Sequence, residues 1–431
     1  MTDAAIHLWG REIGAVSWLA EEELGVFQYT PEFATSGIEI APLTMPLRQE
    51  PYQFPSLPRH TFKGLPGLLA DSLPDKFGNA IIDTWLATQG RSADSFNPVE
   101  RLCYVGTRGM GALEFHPTLH DRSRKASRLE IEALTELANR VLDERSGMQG
   151  KLAGEGDAEQ LEDIIRVGTS AGGARAKAIL AWNEATGEFR SGQLPQEQGF
   201  TYWLLKFDGV GNNRDKEIAD PLGFGLIEYA YYLMAAAAGI TMAPSRLHHE
   251  GGRAHFMTRR FDRDTNGHKL HMQSLGAMMH YDFNQPGAHS YEQALQTLRR
   301  LQVPTADIEE HLRRAVFNVL ARNQDDHVKN IAFLMDKKGT WRLSPAFDVA
   351  YSYNPDGAWT GQHQMSINGK RDDFLREDLV ALGAVGNIKP ARANTLIDEV
   401  AAGVNAWAGY ARESGIDDDT IKRIGKAHRR L

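Results

Sequence analysis

Residues 323–348 read NQDDHVKNIAFLMDKKGTWRLSPAFD, and the rest of the chain is organised around them. NQDDHVKN mixes acids, bases and amides, as a loop does. Residues 331–335 are apolar, Asp336-Lys337-Lys338-Gly339 is turn chemistry, and residues 340–343 read as a return strand. A hairpin of this kind brings its two ends together. Asn330 enters the first strand and Asp348 lies just past the second. Asp325 stands five positions before Asn330, a D-x-x-x-x-N spacing. Three polar side chains would then converge: one acid to take a proton, and an amide and a second acid to hold a hard cation.

The chain around this stretch has 431 residues, 42% hydrophobic and 24% charged, enough for two or three domains with real cores. Its net charge of −8 argues against tight nucleic-acid binding by the chain alone, because phosphate backbones need a basic surface. A single cysteine, Cys103, excludes an internal disulfide and fits a reducing compartment. No basic-then-apolar leader opens the sequence, and residues 229–244 are too short and too mixed to span a bilayer. These features predict a cytoplasmic protein without a membrane partner.

Moving toward the amino terminus, residues 255–264 read as a strand entering a charged loop. Before them, residues 226–239 have helical spacing and carry Glu228, and residues 202–209 form an apolar strand carrying Lys206. A lysine in such a run either snorkels from the strand end or is held against phosphates, with Glu228 as its candidate carboxylate. Residues 168–177, GTSAGGARAK, place small residues before the strand 178–182; such loops let backbone N–H groups approach phosphate oxygens, although a plain loop reads the same way. No Gly-Lys-Ser/Thr ending makes it a P-loop. Residues 129–148 and 79–89 have helical spacing. Residues 5–60 look β-rich, with short strands either side of Gly10-Arg11-Glu12. Toward the carboxy terminus the periods are helical: residues 291–301, 307–322, 379–382, 390–411 and a basic amphipathic helix from 417.

The order of these parts matches what phosphoryl transfer needs: backbone donors and a lysine for phosphates, two oxygen ligands for Mg2+, and one base near an acceptor hydroxyl. The plain alternative for Asp325, Asp326 and His327 is a solvated polar turn. On the runs LLADSLPDKFG, TSAGGARAK, LLKFDG, TRRFDR, NQDDHVKN and AFD, the chain resembles the HipA family of serine/threonine kinase toxins of bacterial toxin–antitoxin systems along nearly its whole length.

The resemblance implies a two-lobed, kinase-like α+β fold, with a mixed α/β amino-terminal lobe, a β-rich cap and a mostly helical carboxy-terminal lobe. The expected parts are a β-rich module over 1–125, a nucleotide-binding part over 126–260 and a helical catalytic lobe over 261–431. It implies ATP and Mg2+ as cofactors, with Asp325 as catalytic base and Asn330 and Asp348 as metal ligands. Lys206 and the loop residues Ser170, Ala171, Gly172, Gly173 and Lys177 would meet phosphates, and Arg259 and Phe261 the adenine. Ser170, or its neighbour Thr169, would be autophosphorylated, placing about −1.5 to −2 charges where phosphates must sit. Glu228, His327 and Lys329 are supporting residues. The loop departs from the family pattern at Arg175 and Ala176, where polar or acidic residues are common.

The implied partners are a separate helix-turn-helix antitoxin, DNA only through it, and a protein substrate such as an aminoacyl-tRNA synthetase. Two other classes fit the same parts: a small-molecule phosphotransferase, and a catalytically weak co-repressor acting with a DNA-binding partner. A substrate screen separates the first, and toxicity on expression the second.

Overall fold

Trp9 and Gly10 both take positive φ, 53° and 80°, the combination a type I′ two-residue hairpin loop requires. They join β1 (Thr2–Leu8) to β2 (Arg11–Leu19) in the computed structural model, which describes residues 2–119, 128–143, 168, 175–194, 196–210, 222–264 and 267–431. With β3 (Leu24–Tyr29) and β4 (Leu113–His116) they form an antiparallel sheet ordered β3-β2-β1-β4. Alternation buries Ala4, Ile6 and Leu8 of β1 and Gly14, Val16 and Trp18 of β2.

The second sheet contains β5 (Lys177–Asn183), β6 (Glu188–Ser191), β7 (Phe200–Lys206), β8 (Ser245–Glu250) and β9 (Arg253–Arg259), in the order β6-β5-β7-β9-β8. β5 runs antiparallel to β6 and β7, and β7 to β9. Ala178, Leu180, Leu205 and Met257 share a core with Phe77, Ile81 and Leu86 of the helix Lys76–Thr88 and with Leu134, Leu137 and Val141 of the helix Ile131–Asp143. The first of these helices starts three residues before the expected 79. Asp75 is the reason: its carboxylate accepts the Gly78 N–H at 2.7 Å and caps the first turn.

Internal contacts divide the chain into two units. One comprises residues 1–41, 45–222 and 248–272, the other 42–44, 223–247 and 273–431. The helix Phe224–Ala237, with Glu228, therefore groups with the carboxy-terminal residues.

In the second unit, β12 (Ala332–Met335) pairs antiparallel with β13 (Trp341–Leu343). β10 (His271–Ser274) begins in the first unit and ends in the second, and the sheet order is β10-β12-β13. A short parallel pair joins β11 (His289–Ser290) to β14 (Met365–Ser366). The hairpin predicted over residues 331–343 is present. Helices Tyr291–Arg300, Thr305–Leu320, Arg376–Val385, Pro390–Asn405, Trp407–Glu413 and Asp418–Ala427 supply most of the rest. The single helix expected over 390–411 breaks at Ala406. The break turns Trp407 into the core, where its ring meets Tyr231 and His428 and its N–H reaches the Ile421 carbonyl at 3.0 Å. The fold is α+β, with antiparallel sheets toward the amino terminus and helices toward the carboxy terminus.

Candidate active site

The β12–β13 hairpin is fixed from beneath by the helix Thr305–Leu320. Asp307 accepts both Arg342 Nε and Nη2, at 2.8 and 2.9 Å, and the Leu343 N–H at 2.9 Å. Arg314 reaches the Ser344 carbonyl at 2.7 Å, and the Ala346 N–H donates to the Thr241 carbonyl at 2.8 Å. Asp348 follows with φ of 52°. Asp is among the few side chains that tolerate this left-handed region. The turn lets Asp348 share with Asn330, Asp326, His311 and Arg314 the wall of a cavity of about 30 Å3.

Asn330 closes a short 3-10 turn, Val328–Asn330. Its Nδ2 donates to the backbone carbonyl of Asp325 at 2.9 Å. That bond fixes the amide's orientation, so Oδ1 is the atom left to act as a ligand. Asn330 and Asp348 thus line one space, an amide and a carboxylate of the kind Mg2+ takes as ligands. Among the described residues, no group of three or more His, Cys, Asp or Glu side chains is arranged to hold a metal. A cation here would rest on the amide, one acid and oxygens brought by a ligand.

The two adjacent aspartates have opposite surroundings. Asp325 keeps 46% of its side chain exposed. Its Oδ1 accepts the Trp359 indole N–H at 2.8 Å, and His327 Nε2 lies 3.8 Å away. Asp326 is buried and accepts Tyr291 Oη at 2.8 Å, the Gln364 N–H at 2.7 Å and His363 Nδ1 at 2.8 Å. Burial pushes its carboxyl up, but the attraction of His363 and these hydrogen bonds outweigh that and hold it below the usual carboxylate range. The network runs on through Asn318, which donates to Tyr291 Oη, and Asn323, which donates to Asn318. Asp326 thus has its acceptor capacity filled by the fold, and Asp325 does not.

His327 lies beside Phe283, with ring centroids 5.5 Å apart, and Lys329 Nζ stands 5.2 Å from the same phenyl ring. Glu228 is buried on its helix in the second unit. The remaining predicted residues belong to the first unit. Lys206 ends β7, buried, with Nζ 5.9 Å from the Phe256 ring centre. Lys177 is its direct cross-strand partner in β5, and its ammonium lies 3.3 Å from the buried carboxylate of Asp75. Two lysines on one face of a sheet repel unless a carboxylate intervenes. Asp75 offsets the charge of Lys177, so the SLPDKFG run holds the strand that leaves the small-residue loop. Thr169, Ser170, Ala171, Gly172 and Gly173 lie outside the described residues.

Arg259 ends β9 opposite Trp203, half-buried, and Phe261 follows in the turn. The charged residues between and after them are absorbed by structure. Arg260 Nε and Nη2 donate to Asp262 at 2.9 and 2.6 Å, Arg263 Nη1 at 2.7 Å, and the Gly111 N–H at 2.7 Å. This buried knot ties residues 109–111 to 260–263. Sequence reading named neither it nor Trp359. The arginine–aspartate alternation of RRFDR was the available signal for the knot; nothing in TGQHQ marked Trp359.

An α+β chain of two units, with a small cavity lined by both polar and apolar residues at the end of a hairpin, is the class these observations define. The chain belongs to the HipA family: residues 169–408 match the HipA-like C-terminal domain and residues 4–116 the HipA N-terminal domain. Its fold matches a chain of the Shewanella oneidensis MR-1 toxin–antitoxin complex of HipA, HipB and operator DNA. That match has a TM-score of 0.67 at 17% identity, covering 98% of this chain and 95% of the other. Two proteins of Sinorhizobium fredii (strain NBRC 101917 / NGR234) are similar in sequence. The one named "Putative kinase Y4mE" is 30% identical over 125 residues, and "Putative kinase Y4dM" is 28% identical over 167 residues. These matches cover 27% and 36% of this chain and 30% and 39% of the relatives' lengths. Among the described residues, no helix is long and apolar enough to cross a membrane.

Proposed function

We propose that the chain is an ATP- and Mg2+-dependent serine/threonine protein kinase acting as the toxin of a toxin–antitoxin pair. The observation that carries this reading is the shared cavity of Asn330 and Asp348, with Asn330 tied by one hydrogen bond to the backbone of Asp325. Asp325 takes the proton of the acceptor hydroxyl; it is the acid of the pair whose carboxylate is not already filled by the fold. Asn330 Oδ1 and the Asp348 carboxylate would hold Mg2+, which would offset charge on the phosphates. By resemblance to the family, Lys206 is assigned to the phosphates and Arg259 and Phe261 to the adenine. Autophosphorylation at Ser170 or Thr169 switches the kinase off. A separate helix-turn-helix antitoxin neutralises it and brings it to DNA, as the HipB and operator DNA of the Shewanella complex suggest by analogy. A translation component, such as an aminoacyl-tRNA synthetase, is the protein substrate.

The test is labelled ATP with Mg2+. Label should appear on the chain, vanish with a chelator, and fall by about 10²–10⁴-fold in Asp325→Asn, the range for loss of a general base. Undiminished labelling in Asp325→Asn would falsify the assignment of the base.

A further inference from the structure

Asp325 keeps nearly half of its side chain exposed, yet its carboxylate is not loose. Trp359 donates its indole N–H to Oδ1 at 2.8 Å. A side chain on a surface loop would ordinarily be a poor anchor, but this loop is closed on itself. The Gly357 N–H donates to the Asn354 carbonyl at 3.1 Å, the Gly361 N–H to the Gly357 carbonyl at 3.1 Å, and the Asn354 N–H to the Thr360 carbonyl at 3.3 Å. Gly361 is required for that closure, since a Cβ there would meet the Gly357 carbonyl oxygen at 2.5 Å.

The loop is also tied back to the second aspartate. Gln364 donates its backbone N–H to Asp326 Oδ1 at 2.7 Å, and its side-chain amide to the Trp359 carbonyl and, at 3.3 Å, to the Gln324 carbonyl. A ring of contacts results. Asp326 holds Gln364, Gln364 holds the backbone of Trp359, and Trp359 holds the carboxylate of Asp325, which is joined to Asp326 by a peptide bond. The buried acid fixes the geometry of the exposed one through the indole.

We infer that Trp359 is a positioning residue for phosphotransfer, aiming the Asp325 carboxylate at the acceptor hydroxyl through its indole N–H. This rests on the reading of Asp325 as the base. The indole engages one lone pair of Oδ1 and leaves Oδ2 to take the proton. A carboxylate that rotates freely spends part of its time misaimed, and misplacement by about 1 Å can cost roughly 10²-fold in rate. The bond orients Asp325 without touching nucleotide, so its loss should appear in kcat and not in the KM for ATP.

The experiment compares the full chain with Trp359→Phe and with a chain carrying benzothienylalanine at 359. That isostere keeps the shape of indole and replaces the N–H by sulfur. ADP release should show kcat lowered about tenfold or more in both, as expected for losing a hydrogen bond to a charged group. The KM for ATP and the melting temperature of the isostere should match the parent. Full kcat in the isostere overturns the proposal, because packing alone would then explain the residue. Tryptophan indole resonances provide a second readout, with that of Trp359 assigned by its loss in Trp359→Phe. It should move when Asp325→Asn removes the negative charge, and an unmoved resonance overturns the contact. If the parent releases no ADP while the resonance moves, the kinase reading fails, and the catalytic role with it, although the bond itself stands.

Discussion

Asp262 and Asp325 both sit in charged loops that follow or precede strands, and the sequence presents them alike. Their surroundings are opposite. Asp262 is fully buried and receives four N–H donors, from Arg260, Arg263 and Gly111. Asp325 is nearly half exposed and receives one, from Trp359. A carboxylate with every lone pair filled by the fold has nothing left to offer a substrate. One that is aimed but not filled does. Saturation, rather than the presence of charge, separates a structural acid from a chemical one.

The largest test of that contrast is a pair of measurements on Asp325→Asn. Phosphotransfer should fall by about 10²–10⁴-fold, while the unfolding midpoint in denaturant stays near that of the parent, because the exposed carboxylate holds no part of the core. A large loss of stability would place Asp325 in the same category as Asp262 and erase the distinction.

Asp262→Ala should do the reverse. It leaves the Arg260 guanidinium buried without its carboxylate, and breaking a buried pair from one side costs about 3–5 kcal/mol. Equilibrium unfolding measures this. Acid should act in the same direction. Burial pushes the Asp262 carboxyl up, but Arg260 and Arg263 overcome it and hold the carboxyl well below the usual range. A carboxylate with a depressed folded value contributes stability fully above its unfolded value, about 3.9, and loses it as pH falls toward the folded value. The parent should therefore lose stability below about pH 4 more steeply than Asp262→Ala does.

The same contrast explains what could be read from the sequence. The hairpin of residues 331–343 was legible because apolar runs and Asp-Lys-Lys-Gly turn chemistry are local signals. The D-x-x-x-x-N spacing was legible for the same reason, and the structure ties Asn330 to the Asp325 backbone. Contacts distant in sequence carried no such mark. Asp75 meets Lys177 across about a hundred residues, Gly111 meets Asp262 across 151, and Trp359 meets Asp325 across 34. A residue's neighbours in space decide whether its charge is consumed, and no periodicity encodes them. The break at Ala406 was illegible too, since apolar spacing continues through it; the pull of Trp407 into the core is tertiary.

Asp326 falls between the extremes and sharpens the comparison. It is as buried as Asp262, but its partners are a tyrosine, a histidine and one backbone N–H rather than two guanidiniums. Asp326→Asn keeps the shape and loses the charge, turning one oxygen acceptor into a donor that faces donors. The expected cost is about 1–3 kcal/mol in unfolding, less than that of Asp262→Ala. Activity should fall as well, because Gln364 loses its anchor and Trp359 its support. A variant that loses stability but keeps full kcat would separate the two aspartates and break the ring of contacts proposed between them.

The smallest effect belongs to a pair that looks as good as the Asp262 knot by distance. Arg392 Nη2 and Nε reach Glu309 Oε2 at 2.7 and 3.1 Å. Arg392 is 42% exposed, however, and the hydrogen bond that holds the Glu309 carboxyl below its usual range is made in water. Water competes for both groups, salt screens them, and ordering two long side chains opposes the gain. Arg392→Ala should therefore cost no more than about 1 kcal/mol, and less at high salt. Denaturant titrations of this variant and of Asp262→Ala, at low and high salt, compare nearly equal bond lengths in two solvents. A loss at position 392 equal to that at 262 would mean that distance alone sets the strength of these pairs. A several-fold difference assigns the strength to burial, and with it the reason Asp262 is spent on structure while Asp325 is left for chemistry.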